Sequence, residues 1–297
     1  LIGSVQDIQR MSKIISIFKP FIIYHAAAYK HVPIVEQNLI EGLKNNLIGT
    51  FDLASLALEK NISNFVLIST DKAVRPTNIM GATKRLAELS LQALNDKNLN
   101  LTTGSKNTKF TIVRFGNVLD SSGSVIPKFR DQIINGGPIT LTHRDITRYF
   151  MTITEAAQLV IQAGAMAKGG DVFVLDMGKP IKIYDLAIRM IQLSGLTVKR
   201  LTNSKGDIEI KIIGLRPGEK LFEELLLSKN PTKTKHPKIF RSEEPFIEHI
   251  KLKKEINSLK KLIKDNDLEN ILKKIKTIVI DYSPNSDIID HTFINKK

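Results

Sequence analysis

The chain has 297 residues, 44 Lys and Arg against 30 Asp and Glu, a formal net charge of +14, 42% hydrophobic residues, and neither Cys nor Trp. This is globular composition, so disordered and collagen-like classes are excluded, and no apolar run approaches the ~18 residues that a bilayer-spanning helix needs. The absence of cysteine excludes disulfides, thiolate metal sites and a thiol nucleophile.

The chain opens on Leu1-Ile2-Gly3, which reads as the end of a strand and carries no signal-peptide pattern. Phe21-Ile22-Ile23-Tyr24-His25 is the first apolar run, followed by a helical stretch over roughly 35–60. Phe65-Val66-Leu67-Ile68-Ser69 is the second, with a helix beginning near Ile79. A polar loop at 97–109 leads to the third, Phe110-Thr111-Ile112-Val113-Arg114-Phe115. Such β-rich runs without alternation suit strands covered on both faces. Their alternation with helices predicts parallel βαβ units, an α/β fold with an open, doubly wound sheet. Past residue 120 the elements shorten. Amphipathic helices are expected at about 154–167 and 183–194, with a strand at Val172-Phe173-Val174-Leu175 between them. From 229 onward Ile256, Leu259, Leu262 and Ile263 recur at helical spacing among lysines.

Residues 229–297 hold 16 cations and 10 acidic residues. A nucleic-acid footprint would cluster basic residues with aromatics or a recognition motif. Here the lysines spread through Ile- and Asn-rich sequence and read as a solvated face, so no nucleic-acid partner is expected. The positive field favours anionic substrates.

Ligands of doubly wound sheets bind beyond the carboxyl ends of the strands. After the second run comes Ser69-Thr70-Asp71-Lys72, and then Met80-Gly81-Ala82-Thr83-Lys84. A hydroxyl, a carboxylate and an ammonium at one strand end form an acid/base set, and Met80 and Lys84 share one helix face. Read alone, Asp71 and Lys72 are equally a surface pair near a helix start. The six His residues show no metal-ligand spacing, so no metal is expected, and His25 and His31 read as packing or polar liners.

Ordered blocks decide between these readings. They are His25-Ala26-Ala27-Ala28-Tyr29-Lys30-His31-Val32-Pro33, Asn45-Asn46-Leu47-Ile48-Gly49-Thr50, Ser-Thr-Asp-Lys-Ala at 69–73 and Met-Gly-Ala-Thr-Lys at 80–84. Arg-Phe-Gly-Asn-Val at 114–118, Ser-Ser-Gly-Ser-Val-Ile-Pro at 121–127, Thr-Arg-Tyr-Phe-Met at 147–151 and Leu-Arg-Pro-Gly-Glu-Lys-Leu-Phe-Glu-Glu at 215–224 complete them. Over residues 1–228 the chain resembles the CapD-like polysaccharide-biosynthesis proteins, nucleotide-sugar dehydratases of the extended short-chain dehydrogenase/reductase superfamily.

The resemblance implies removal of water from a UDP-N-acetylhexosamine, UDP-N-acetylglucosamine above all, to give a 4-keto-6-deoxy sugar for surface polysaccharide. It implies a tightly bound NADP or NAD. By the motifs, Asp71 protonates the departing C6 hydroxyl and Lys72 takes the C5 proton, which asks for a depressed lysine pKa. Thr70 would bond the C4 oxygen. Lys84 would hold the nicotinamide ribose, and Ser4, Ala26, Ala27, Tyr29 and Asn46 would line the cofactor cleft. Lys30, Asn117, Arg148 and Arg216 would bind substrate, with Glu219 and Glu223, four apart on a helix, ordering the arginine. Met80 stands where the superfamily has Tyr and accepts no proton; it marks the larger, membrane-attached branch and leaves the C4 base open among Thr70, Asp71, water and substrate. Asp120 stands where the family has Gly, which suits a positive φ.

The chain contains no Gly-x-Gly-x-x-Gly, the turn that receives a dinucleotide pyrophosphate. The first βαβ unit is therefore expected upstream of Leu1, with weak NADP retention and an exposed sheet face as the consequence. The expected architecture is a Rossmann-like doubly wound parallel sheet lacking that unit, with a smaller C-terminal substrate-binding α/β region. Its parts are a dinucleotide-binding domain with the catalytic residues at 1–120, a mainly nucleotide-sugar-binding region at 121–228 and a Lys-rich helical extension at 229–297. A homo-oligomer is expected, cytoplasmic or on the cytoplasmic face of the inner membrane. Two alternatives stay open: a nucleotide-sugar epimerase, and a non-catalytic remnant or sugar-nucleotide-binding module.

Overall fold

The computed structural model describes residues 1–99, 108–199, 205–226, 231–285, 287 and 290. Most of the loop expected at 97–109, the boundary at 228 and the end of the C-terminal extension lie outside the described residues. Residues 1–4 have no regular structure where a strand end was expected, because no described strand lies beside them to pair with.

The first helix, α1 (Ile8–Phe18), starts at Asp7, whose carboxylate accepts from the Arg10 amide at 3.0 Å. Strand β1 (Ile22–His25) follows. The helical stretch expected at 35–60 is α2 (Val32–Glu36), α3 (Leu39–Gly42), a π-helical turn at Leu43–Gly49, and α4 (Thr50–Glu59). Next come β2 (Asn64–Ile68), a 3₁₀ turn at Asp71–Ala73, α5 (Ile79–Leu99) and β3 (Lys109–Arg114). The shorter elements are β4 (Asn117–Val118), α6 (Val125–Ile134), β5 (Ile139–Leu141), β6 (Thr147–Arg148), β7 (Phe150–Met151) and α7 (Ile153–Met166). After them run β8 (Asp171–Leu175), β9 (Ile181–Lys182), α8 (Ile183–Leu193), β10 (Val198–Lys199) and β11 (Ile208–Ile212). The described chain ends with β12 (Thr232–Lys233), β13 (Ile239–Ser242), α9 (His249–Lys264) and α10 (Leu268–Ile278).

The central sheet has the order β1-β2-β3-β8-β13-β12, parallel through β8 and antiparallel beyond it. Alternate residues of each strand point to opposite faces. Phe65, Leu67, Phe110 and Ile112 therefore pack with Leu53, Ala57, Leu86 and Leu94 on one face. Val66, Val113, Phe173 and Leu175 meet Leu159, Val160 and Ala163 of α7 on the other. Both faces are covered at β2, β3 and β8, which is why those runs lack polar alternation, whereas β1 leaves Tyr24 exposed, as does Phe21 just before it. A second, smaller sheet, β10-β11-β5, packs with α6 and α8 through Phe129, Ile133, Ile183 and Ile208.

The division at residues 120 and 228 does not follow the central sheet. Strands β8, β12 and β13 join it from beyond the first boundary, the last two from the stretch expected to be only helical. Ile239 is fully buried there, and pairing with β13 covers the edge that β8 would otherwise present to solvent. The following hairpin turns Leu252, Ile256, Leu259 and Ile263 of α9, and Ile271 and Ile275 of α10, into the core. Lys251, Lys253, Lys254, Lys261 and Lys264 face out, the solvated face expected from the sequence. Lys260 reaches Asp52 of α4 at 2.7 Å.

Two contacts fix α5 against the carboxyl ends of β2 and β3. Glu88, with no exposed surface, takes Arg114 in a forked pair (2.6 and 2.7 Å), Arg85 at 3.0 Å and the Ser69 hydroxyl at 2.6 Å. Burial alone would raise its pKa; the arginine charges and these hydrogen bonds outweigh burial and hold it at about 2. The second contact is steric. A Cβ on Gly81 would lie 2.1 Å from the Lys72 carbonyl oxygen, so the first turn of α5 rests directly on the 3₁₀ turn.

Replacing Glu88 by Gln leaves Arg114 partly unpaired in the core and is expected to cost about 3–5 kcal/mol in denaturant unfolding. The wild-type pair stabilises the fold fully above pH 4.5, and that contribution is lost as pH falls through about 2. Gly81→Ala is expected to lift the turn off α5, read as faster amide exchange at residues 71–74 than in the wild type.

Candidate active site

A cleft of about 480 Å³ opens beyond the carboxyl ends of β1, β2 and β3. Its walls include Ala26, Ala28, Tyr29 and Lys30 after β1, Thr70 and Lys72 after β2, and Gly116 and Asn117 after β3. Met80 and Lys84 of α5, Lys128 of α6, Arg148 of β6 and Arg216, Glu219 and Glu223 of the loop after β11 complete them.

Thr70, Asp71 and Lys72 form one hydrogen-bonded unit. The Thr70 hydroxyl donates to Asp71 Oδ1 at 2.9 Å and accepts from the Lys72 amide at 3.4 Å. Lys72 Nζ donates to the same Asp71 oxygen at 2.9 Å and to Asn117 Oδ1 at 3.3 Å, with Glu223 Oε1 at 3.7 Å. Asp71 is fully buried and reaches the cleft only through these two partners; its Oδ2 has no hydrogen-bond partner. The expectation of a depressed Lys72 pKa is overturned. Burial pulls it down, but the Asp71 and Glu223 carboxylates outweigh burial and the opposing Arg148 charge, and Lys72 sits above the ordinary lysine range.

Lys84 is depressed instead. Its Nζ donates to the Ile68 carbonyl at 2.7 Å, and burial, only partly opposed by Glu88, brings it to about 8. Met80 is buried in the wall beside it. Ala26, Ala28, the Met80 thioether and Lys84 line the same cleft.

Other expected cofactor residues are placed differently. Asn46 lies in the π-helical turn, where it accepts from the Tyr29 amide at 2.7 Å and donates to the Tyr29 carbonyl and to Thr83, both at 3.0 Å. It shapes the Tyr29-Lys30-His31 loop from behind and is not on the cleft wall. Ala27 is not on the wall either, and Ser4 accepts from the Gln6 amide in the exposed opening turn. His25 is a core residue. It bonds Thr50 at 2.8 Å, and burial with the nearby Lys84 charge lowers it to about 4, so it is neutral.

The segment after Arg216 is not the helix expected from Glu219 and Glu223. Its carbonyls are turned outward to side chains: Lys220 and Leu221 to Arg148 (2.8 and 3.3 Å), and Gly218 to Asn78 (2.8 Å). Helical i to i+4 bonding is thereby forfeited. Arg148 spends its fork on these carbonyls and on Thr147, so it builds the loop, while Arg216 stands exposed at the rim. Asp120 has φ +58 and pairs with the exposed Arg130 at 3.3 Å. Lys128 was missed: it follows the Ser-Ser-Gly-Ser-Val-Ile-Pro block by one residue, and burial together with Arg216 lowers its pKa. Among the described residues, no three His, Asp or Glu are grouped to hold a metal ion, and no helix is long and apolar enough to cross a membrane.

A family described as "Polysaccharide biosynthesis protein" matches residues 1–244. Capsular polysaccharide biosynthesis protein CapD of Staphylococcus aureus is 55% identical over 226 residues, 76% of this chain and 35% of that protein. The chain thus spans about a third of that relative's length. A UDP-N-acetylglucosamine 4,6-dehydratase (inverting) of Campylobacter jejuni subsp. jejuni serotype O:23/36 is 32% identical over 228 residues, 76% of this chain and 62% of that enzyme. The crystal structure of Pen from Bacillus thuringiensis matches with a TM-score of 0.71 at 35% identity, over 84% of this chain and 72% of Pen. With the strand-end acid/base turn on a Rossmann-like sheet, these matches show that the chain belongs to the CapD-like polysaccharide biosynthesis proteins of the short-chain dehydrogenase/reductase superfamily.

Proposed function

We propose that the chain carries the reaction centre of a nucleotide-sugar 4,6-dehydratase, with UDP-N-acetylglucosamine as substrate, serving surface-polysaccharide synthesis. The observation that carries this reading is the Thr70–Asp71–Lys72 unit on the cleft wall, with Lys72 Nζ and Asp71 Oδ1 2.9 Å apart. Dehydration across C5 and C6 needs an amine to take the C5 proton and an acid to release one to the leaving hydroxyl. Moving one proton along that hydrogen bond turns the ion pair into an amine and a carboxylic acid, the two forms required. Asp71 then serves the C6 oxygen through the Thr70 hydroxyl, which is on the wall when Asp71 is not.

A bound NADP or NAD would supply the hydride acceptor for C4 and the hydride returned to C6. Toward that reaction the Thr70 hydroxyl hydrogen-bonds the C4 oxygen, and because Asp71 is filled by the Lys72 proton the C4 hydroxyl proton leaves to water, Met80 carrying no base. Lys84, brought by burial to about 8, orients the ribose and sheds its proton more readily than an exposed lysine. Lys128 and Arg216 face the cleft with like charge and attract the diphosphate. Lys30 and Asn117 extend that wall toward the sugar, and Asp120 is drawn away by Arg130. An epimerase exchanges a proton and hydride at C4 alone and gives the Asp71–Lys72 pair nothing to do.

Incubated with UDP-N-acetylglucosamine and NADP, the full-length protein is expected to yield a sugar nucleotide lighter by one water, read by mass spectrometry. Lys72→Ala is expected to lower turnover by about 10²–10⁴-fold. A product of unchanged mass would mark an epimerase, and substrate binding without any product a non-catalytic module.

A further inference from the structure

Asp71 is not the only carboxylate beside the catalytic lysine. Glu223 approaches Lys72 Nζ from the opposite wall, Oε1 at 3.7 Å, on a loop far along the chain from the catalytic turn. Its side chain is 3% exposed, and its Oε2 is buried without a hydrogen-bond partner. Arg148 lies 3.9 Å from the same Oε1 and 3.5 Å from Glu219, while binding the backbone carbonyls of Lys220 and Leu221. The carboxylate is thus held by a loop that Arg148 fastens and that also carries Arg216. The charged groups facing Lys72 are Asp71 in its own turn, Glu223 in the loop and Arg148 in β6.

We propose that Glu223 is a positioning residue of the reaction centre: from the wall opposite Asp71 it holds the Lys72 ammonium in the cleft and governs when that lysine gives up its proton. The inference deepens the dehydratase reading and rests on it. Two carboxylates flank one ammonium, so the proton transfer from Lys72 to Asp71 is opposed for as long as Glu223 remains in place as an anion. Glu223 lines the cleft, so a sugar hydroxyl donating to its carboxylate draws charge density away from Lys72 and eases that transfer. Substrate arrival and base formation are coupled through one side chain. The pKa direction of Lys72 agrees with this placement.

The test is competitive acetylation of the protein with acetic anhydride at fixed pH, with Lys72 quantified against Lys84 by peptide mass spectrometry. An opposite charge at this range moves a lysine pKa by about 1 or more, and each pH unit is about tenfold in free amine. E223Q is expected to raise the Lys72-to-Lys84 ratio about tenfold, while E223D, which keeps the charge, stays near the wild type. An unchanged ratio in E223Q overturns the proposal. So does an equal rise in both variants, because loosening of the loop would expose Lys72 whatever the charge. In the dehydration assay the acid limb of kcat/KM is expected to move to lower pH in E223Q. An E223Q-specific rise in labelling with no dehydration product from wild type would sink the dehydratase reading and leave the Glu223–Lys72 coupling standing.

Discussion

Arg114 ends β3 with no exposed surface, and a guanidinium in that position is tolerable only if its charge is matched. Glu88 of α5 answers it through both oxygens, and Glu244, just beyond β13, takes its NH1 at 2.8 Å. Three parts of the sequence are thereby locked at the carboxyl end of the sheet. The same Glu88 accepts from Ser69, the residue before the catalytic turn. The pair's main effect is geometric: it sets how α5 lies across β2 and β3, and Gly81 then lets the first turn of that helix touch the Lys72 carbonyl. Movement of α5 would move Met80, Lys84 and Lys72 together.

The cleft holds two lysines in opposite electrostatic settings. Lys84 faces a backbone carbonyl in a buried pocket, where desolvation dominates and the ammonium is easily lost. Lys72 is flanked by carboxylates, where attraction dominates and the ammonium is kept. One side chain is ready to change charge and the other must be released to do so. Under the proposed function that release depends on the loop of Glu223, which also carries Arg216.

Much of this was legible in the sequence. The uninterrupted apolar runs at 21–25, 65–69, 110–115 and 172–175 lie at the central strands, since burial on both faces of β2, β3 and β8 removes the polar alternation that would otherwise blur them. The helix from Ile79 is where the pattern placed it, and the acid/base turn follows β2. What periodicity could not show was the role of groups whose partners are remote. Asn46 looks like a cleft residue because it sits in a motif, but its amide is consumed by the Tyr29 backbone and Thr83. The Glu219–Glu223 spacing imitates a helix, yet the Arg148 fork captures the carbonyls that such a helix would need. The charge of Lys72 was misread because a depressed pKa was inferred from its expected role as a base, whereas Asp71 beside it and Glu223, which only the fold brings near, hold its proton. Strand β13 escaped notice because a four-residue segment in Lys-rich sequence carries little signal until β8 offers it an edge.

The place of that strand has a consequence for the order in which the molecule assembles. Strands β1, β2, β3 and β8 are made before β13 and can pair in sequence, because the chain emerges from synthesis in one direction. Until then β8 offers an open edge, and Arg114 has only one of its two carboxylates. The closing register couples Ile239 to Leu175 and Ser242 to Val172, contacts of long sequence separation that are slow to form. Completion of the sheet and neutralisation of the buried arginine are thus one event, so the strand end beneath Thr70–Lys72 is held in a provisional form until residue 244 arrives.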